Sequence, residues 1–286
     1  MKRKRFRKTF LLFSLLLTGW LIFAQSCMQF RVSDSKAKAK FSKAGVSLFT
    51  ETITVQGFPI HYAKTGSDSL PTLFFIHGSP GSWNAFENFM QDRTLLSRFR
   101  MISVDRPGFG YSHFGDAKNL AAQSELISPL IDLFNNNKPF YIAGHSLGGP
   151  VAVQLFIDHP GHISGLILLA ASVDPKAEKP EKWRPALYKT PLNYLVPGAF
   201  RPSNKELWLL KKDLQVLDTQ WHKITCPVWI VHGNKDRFVP VSNAEYAKEK
   251  LSRAAKVEVT LLPGAGHFIP WEQYNDIKSV FLHLPL

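Results

Sequence analysis

Hydrophobic and polar positions fall into two rhythms along most of the chain. Short runs, either apolar throughout or alternating at period two, occur at 51–55, 59–64, 72–76, 100–104, 139–143, 165–170, 227–232 and 256–262. Helical stretches lie between them near 83–97, 119–136, 147–158, 241–252 and 272–283. Several middle runs, such as Thr72-Leu73-Phe74-Phe75-Ile76, have no polar face, as expected of parallel strands covered by helices on both sides. The alternation predicts an α/β fold with a mostly parallel, eight-stranded sheet between two helical layers. The first two runs, separated by Gln56-Gly57-Phe58, predict an antiparallel hairpin at one edge.

Two regions break this rhythm. Residues 172–219 follow the sixth strand and carry six prolines, with Trp183, Tyr188, Tyr194, Phe200 and Trp208 among them. The aromatic density favours a small, mostly helical cap that shapes an apolar pocket and excludes water, with a long surface loop that packs a few aromatics into the core as the alternative. At the other end, residues 1–26 hold a cationic start, Met1 to Lys8, then an apolar run from Thr9 to Ala24. Residues 27–45 are polar and without clear periodicity, which predicts a spacer leading to a domain over 46–286.

The densest chemistry lies at the ends of the predicted strands. Gly144-His145-Ser146-Leu147-Gly148-Gly149 follows the strand Phe140-Tyr141-Ile142-Ala143 and opens the helix at 147–158. A G-x-S-x-G sequence at a sharp strand-to-helix turn exposes the serine hydroxyl, and glycines at 144 and 148 relieve the crowding. Serine becomes a nucleophile only when a neutral imidazole takes its proton and a carboxylate fixes that imidazole's tautomer. His267, in a glycine-flanked loop after 256–262, and Asp236, after 227–232, supply that pair; Asp174 is an alternative acid. Two N–H groups should bind the developing oxyanion, those of Leu147 and of Ser79 in the loop after 72–76. His145, Trp83 and Phe109 are candidates for lining a substrate pocket, with packing or bracing of the turn as the alternative for each. Asp105 and Arg106 are expected to hold their loop through an ion pair, and His77 and His232 to orient backbone. The remaining histidines show no metal-ligand spacing.

With these residues in place, the chain resembles the α/β-hydrolase superfamily, in its esterase and epoxide-hydrolase-like branch. The matching segments are His77-Gly78-Ser79-Pro80-Gly81, Asp105-Arg106-Pro107-Gly108-Phe109-Gly110-Tyr111-Ser112, the Ser146 turn, His232-Gly233-Asn234-Lys235-Asp236 and Gly266-His267. The resemblance implies the chain order Ser, Asp, His and a cap after the sixth strand. Serine at 146, where the epoxide hydrolases and dehalogenases of the superfamily carry Asp, points to acyl transfer. The expectation is a serine hydrolase acting on a small or medium ester or lactone without metal or organic cofactor. Carbon–carbon bond hydrolysis, an aminopeptidase, perhydrolysis and a non-catalytic ligand-binding role stay open. An aminopeptidase would require a cap acid, Glu178, Glu181 or Glu206, to hold an ammonium group.

Charge and cysteines change the picture only at the N-terminus. The net charge of +13 is concentrated in residues 1–45, which hold eleven Lys/Arg against Asp34 alone. The rest is close to neutral, so the basicity gives no nucleic-acid reading. Ala24-Gln25-Ser26 before Cys27 resembles an export cleavage site, with Cys27 as the acyl-bearing residue of a bacterial lipoprotein. An uncleaved membrane anchor and plain secretion are the alternatives; each places the domain outside the cytoplasm. Cys226 is expected in the core. A small acyl compound and the membrane are the expected partners.

Overall fold

The computed structural model describes residues 2–286; Met1, the first residue of the leader, lies outside them. Eight strands form one sheet, β1 (Phe49–Val55), β2 (Phe58–Thr65), β3 (Thr72–Ile76), β4 (Arg100–Val104), β5 (Phe140–His145), β6 (Gly165–Leu169), β7 (Val228–Gly233) and β8 (Val257–Leu262). Their spatial order is β1-β2-β4-β3-β5-β6-β7-β8, parallel from β4 onward and antiparallel at the β1–β2 edge. Gln56 and Gly57 join β1 to β2 with positive φ at both positions, the backbone that matches the twist of a two-residue hairpin.

The helices are α1 (Lys2–Ser26), α2 (Asp34–Lys43), α3 (Leu120–Leu133), α4 (Gly148–Asp158), α5 (Arg184–Tyr188), α6 (Phe200–Asp218), α7 (Ser242–Lys250) and α8 (Tyr274–Leu282). Strand side chains alternate between two cores, one on each sheet face. Phe74, Ile76 and Ile142 face α3 and α4 residues such as Ile127 and Val151. Leu73, Phe75 and Tyr141 face the opposite layer, with Phe86, Phe89 and Phe281. β3 to β7 are buried throughout, which accounts for their largely apolar sequence; the buried Arg100 and Ser103 of β4 are satisfied by hydrogen bonds to Thr72 Oγ1 and Trp83 O.

Two expectations are corrected. The stretch 83–97 is three short turns, Trp83–Phe86, Glu87–Met90 and Arg93–Leu96, because the Asp92 carboxylate accepts the Thr94 and Leu95 N–H groups and starts a new helix there. The stretch 272–283 forms a single helix, α8, and Ile269–Glu272 makes a separate turn before it. Residues 27–45 are not merely a spacer. They include α2, whose Ala37 and Phe41 are buried in the second core, with Phe41 packed 6.1 Å from the Trp83 ring. Two apolar residues four apart were too short a signal to stand out among lysines and serines.

The cap residues between β6 and β7 carry α5, a turn at Pro191–Leu195, and the 19-residue α6. Leu210, Leu214 and Leu217 on one stripe of α6 enter the first core, and Leu207 and Leu210 of the same stripe also line the cleft. α1 is of a different kind. It is long and apolar enough to cross a membrane, and nearly all its side chains are exposed.

Truncation tests the place of α2 in the core. Phe41→Ala is expected to destabilise the domain by about 3–5 kcal/mol, read as a lower denaturation midpoint in urea at unchanged slope. A loss within about 0.5 kcal/mol would return residues 34–43 to the role of spacer.

Candidate active site

The C-terminal ends of β5, β7 and β8 converge on one point. Ser146 follows β5 directly and has a φ of 54°, a left-handed conformation that costs a non-glycine residue about 1–2 kcal/mol. The turn is held by the Ser146 N–H donating to Leu169 O and by Gly149 N–H donating to Ser146 O. A Cβ on Gly144 would meet Gly148 O at 2.3 Å, and one on Gly148 would meet Ile76 O at 2.2 Å. Side chains at either position would push the turn off the sheet.

His267 Nε2 lies 3.0 Å from Ser146 Oγ, and its Nδ1 lies 2.7 Å from Asp236 Oδ2. The other oxygen of Asp236 accepts the N–H groups of Phe238 and Val239, both at 2.8 Å. Burial disfavours the Asp236 carboxylate, but the His267 hydrogen bond and these two donors outweigh it and hold its pKa low. The ionised acid then retains Nδ1–H on the imidazole and leaves Nε2 as the acceptor for the serine proton. Asp174 makes no bond to His267; its carboxylate accepts the Lys176 N–H nearby.

Ser79 and Leu147 both line the cleft beside Ser146, and their N–H groups make no hydrogen bond among the described residues. Leu147 immediately precedes the 11-residue α4, whose N-terminal end adds positive potential at the same point. Gly78 brings the loop close, because a Cβ there would lie 3.0 Å from Ser146 Cβ.

That loop is held by Arg106, which is fully buried. Its guanidinium donates to His77 O at 2.8 Å, Gly78 O at 2.9 Å and Gln123 Oε1 at 2.9 Å. It also forms a bidentate pair with Glu206 of α6, at 2.7 and 3.0 Å. The expected Asp105–Arg106 ion pair is therefore corrected. Asp105 instead accepts the Trp83 and Tyr111 N–H groups and faces His61 Nδ1 at 2.9 Å. His77 joins the two networks: its Nε2 accepts the Arg106 N–H at 3.0 Å while Nδ1–H donates to Gly78 O at 2.7 Å. This requires a neutral ring, and burial together with the Arg106 charge keeps its pKa well below the ordinary histidine value.

The cleft above Ser146 encloses about 1070 Å³. Its walls are largely apolar, with Phe30, Phe200, Leu207, Phe238, Phe268 and Trp271. His145 lines it as expected; it donates from Nε2 to His267 O at 3.0 Å and stands edge-on to Trp271. Burial, then the neighbouring His267, pushes its pKa down to about 3, so it adds no positive charge beside His267. Trp83 and Phe109 do not line the cleft. Trp83 is buried against Phe41, and Phe109 packs with Ala117 and Ala199, so both expectations are corrected to packing. Cys27 is exposed immediately after α1, and Cys226 is buried.

Sequence reasoning missed the cleft walls. Phe238, Phe268 and Trp271 follow closely after Asp236 and His267, and that proximity was the available signal. Phe30, Arg31 and Val32 had none, since nothing local ties the end of the leader to a site formed by residues far along the chain, Gly78 and beyond.

The family pattern described as the alpha/beta hydrolase fold matches residues 71–195. A 1-acylglycerol-3-phosphate O-acyltransferase from Arabidopsis thaliana is 32% identical over 59% of this chain and 40% of its own. A pimeloyl-[acyl-carrier protein] methyl ester esterase from Shewanella oneidensis is 39% identical over 44% of this chain and 43% of its own. The chain thus spans less than half the length of these relatives. Among solved structures, a membrane phospholipase A superposes with a TM-score of 0.61 at 21% identity, over 98% of both chains. The sheet order, the strand-to-helix turn at Ser146 and these similarities show that the chain has the α/β-hydrolase fold.

Two outcomes follow from the buried charges. Glu206→Gln leaves the Arg106 cation without its counter-ion, and is expected to destabilise the protein by about 3–5 kcal/mol in urea denaturation. The lowered pKa values of His77, His145 and His232 mean that the unfolded chain takes up protons below about pH 6.5 while the folded one does not. Stability is then complete above that pH and falls as acid is added. The melting temperature should drop steadily from pH 7 to pH 5, where a flat profile would contradict the neutral-histidine assignment.

Proposed function

We propose that the protein is a serine hydrolase that cleaves a medium-sized acyl ester through a covalent acyl-enzyme. The observation that carries this reading is the line of hydrogen bonds from Ser146 Oγ through His267 to Asp236, on a serine held in a strained turn. Strain of this kind persists where the surrounding structure imposes it, and here it raises the hydroxyl into the cleft.

In the proposed reaction, Ser146 Oγ attacks the acyl carbonyl carbon while His267 Nε2 accepts its proton. The carbonyl oxygen becomes an oxyanion that receives hydrogen bonds from the Leu147 and Ser79 N–H groups. His267 returns the proton to the departing alcohol, the carbon–oxygen ester bond breaks and the acyl group remains on Ser146. Water then attacks the acyl-enzyme by the same route, releasing the acid and restoring the hydroxyl. Asp236 keeps the imidazole oriented and stabilises its charged form in both halves.

The cleft supports an ester with an extended apolar acyl group. Its volume falls at the upper end of ordinary ligand sites, and aromatic side chains dominate its walls. The cap acids give little support to ammonium recognition. Glu206 is committed to Arg106 and Glu181 to Arg184. Glu178 lines the cleft, but burial raises its pKa despite the Ser172 hydroxyl donating to it, which disfavours a carboxylate there. Of the two relatives above, one is named for ester hydrolysis and the other for acyl transfer to oxygen, and both names concern acyl esters.

A fluorophosphonate probe is expected to label the folded protein once and to leave Ser146→Ala unlabelled; an unlabelled native protein would defeat the reading. Asp236→Asn should lower turnover of p-nitrophenyl esters by roughly 10⁴-fold through the wrong imidazole tautomer. Asp174→Asn should leave it nearly unchanged, and the reverse result would reassign the acid.

A further inference from the structure

We propose that α1 is retained in the working protein and seats the cap on a lipid bilayer, so that the cleft draws its acyl ester from the lipid phase. This rests on the hydrolase reading and adds where the substrate resides and which surface meets it.

The end of α1 is built into the cap. Trp20 Nε1 donates to Leu195 O at 2.9 Å and Gln25 Nε2 to Tyr194 O at 2.7 Å. Arg201 of α6 donates to Gln25 Oε1 at 2.7 Å, and the Gly198 N–H donates to Ala24 O at 2.8 Å. Ala24 is fully buried there. A leader destined for removal needs no such partners. Polar side chains within an otherwise apolar helix are used here to hold another part of the fold.

These contacts also set the depth of the cap. Trp20 lies six residues before Ser26, about 9 Å along the helix axis. The turn Pro191–Leu195 therefore lies alongside the apolar helix and not below its end. Its Leu192 and Tyr194 are 48% and 58% exposed. An apolar helix that leaves most of its side chains exposed requires an apolar phase, and a turn fixed beside it enters the boundary of that phase. Tyr and Trp suit that boundary, since each joins an apolar ring to a polar group.

The same piece of chain forms a wall of the cleft. Phe30 follows Ser26 by four residues, so the cleft wall lies within about 14 Å of the helix end. Met28 and Phe30 both have positive φ, 56° and 51°, each costing about 1–2 kcal/mol. They are held from both shores: Ala199 N–H donates to Met28 O, the Phe30 ring stands edge-on to Phe200, and the Ser82 hydroxyl donates to Phe30 O. Phe238, Phe268 and Trp271 at the cleft are partly exposed aromatics. An apolar mouth tied to the foot of a membrane helix fits an acyl chain already in the bilayer better than one dissolved in water.

The test uses the full chain in phosphatidylcholine vesicles with two substrates, a water-soluble short-chain p-nitrophenyl ester and a long-chain fluorogenic ester dissolved in the vesicles. The double variant Leu192→Glu/Tyr194→Glu, which places charge on the docking turn, should lower turnover of the vesicle ester about tenfold or more. Turnover of the soluble ester should stay within about twofold. Unchanged turnover of both esters overturns the proposal. If the acidic pair impairs both, Leu192→Ser/Tyr194→Ser decides by the same criterion. Intact mass should show a chain that includes residues 2–26, and a chain beginning at Cys27 overturns retention. Failure of the native protein to turn over either ester or to take the fluorophosphonate probe defeats the underlying hydrolase reading instead.

Discussion

One buried guanidinium joins the parts of this molecule that chemistry requires to meet. Arg106 directs all five of its N–H groups at protein acceptors: two backbone carbonyls of the 77–78 loop, the Gln123 side chain and both oxygens of Glu206. The loop carries the Ser79 N–H, and Glu206 belongs to the cap. The distance between the floor of the site and its roof is thus set by one planar group, whose fork geometry tolerates little variation. A fully buried cation is unfavourable unless its counter-charge and every donor are satisfied. Misplacement of the loop or of α6 would therefore be opposed by the desolvated charge itself.

Asp105, the neighbouring residue, performs the complementary task with acceptors. Its carboxylate gathers the Trp83 and Tyr111 N–H groups and His61. The glycine at 110 is needed because a Cβ there would lie 2.1 Å from that carboxylate. Consecutive side chains at the end of β4 thus fix opposite sides of one loop cluster, consistent with alternation of a strand's side chains between faces. The histidines around the site extend this logic. His77 and His145 are kept neutral by burial, which preserves the acceptor at His77 Nε2 and leaves His267 as the ring placed to gain charge during the proposed reaction.

Much of this was legible along the chain. The largely apolar runs at β3 to β7 could be read because burial on both faces leaves few polar residues in the strand itself. Ser146, Asp236 and His267 could be read because each sits where a strand signal ends, and the glycines at 144, 148 and 233 have a steric reason. Trp83 and Phe109 were misplaced for the opposite reason. An aromatic side chain near a motif carries no mark of which way its strand or loop turns it, and both turn inward. Asp105 and Arg106 were paired because they are adjacent, but each found a partner far away in sequence.

The sequence by itself determined the layered sheet and the strained serine turn, because these follow from local periodicity and backbone sterics, and it singled out Asp236 and His267 as candidate partners of Ser146 from their places after strands. Only the tertiary structure decided that Glu206 neutralises Arg106, that α2 belongs to the core, and that the chain from Met28 to Val32 walls the cleft. Those contacts join residues tens to hundreds of positions apart. They depend on how whole elements pack, and no short window of sequence carries that information.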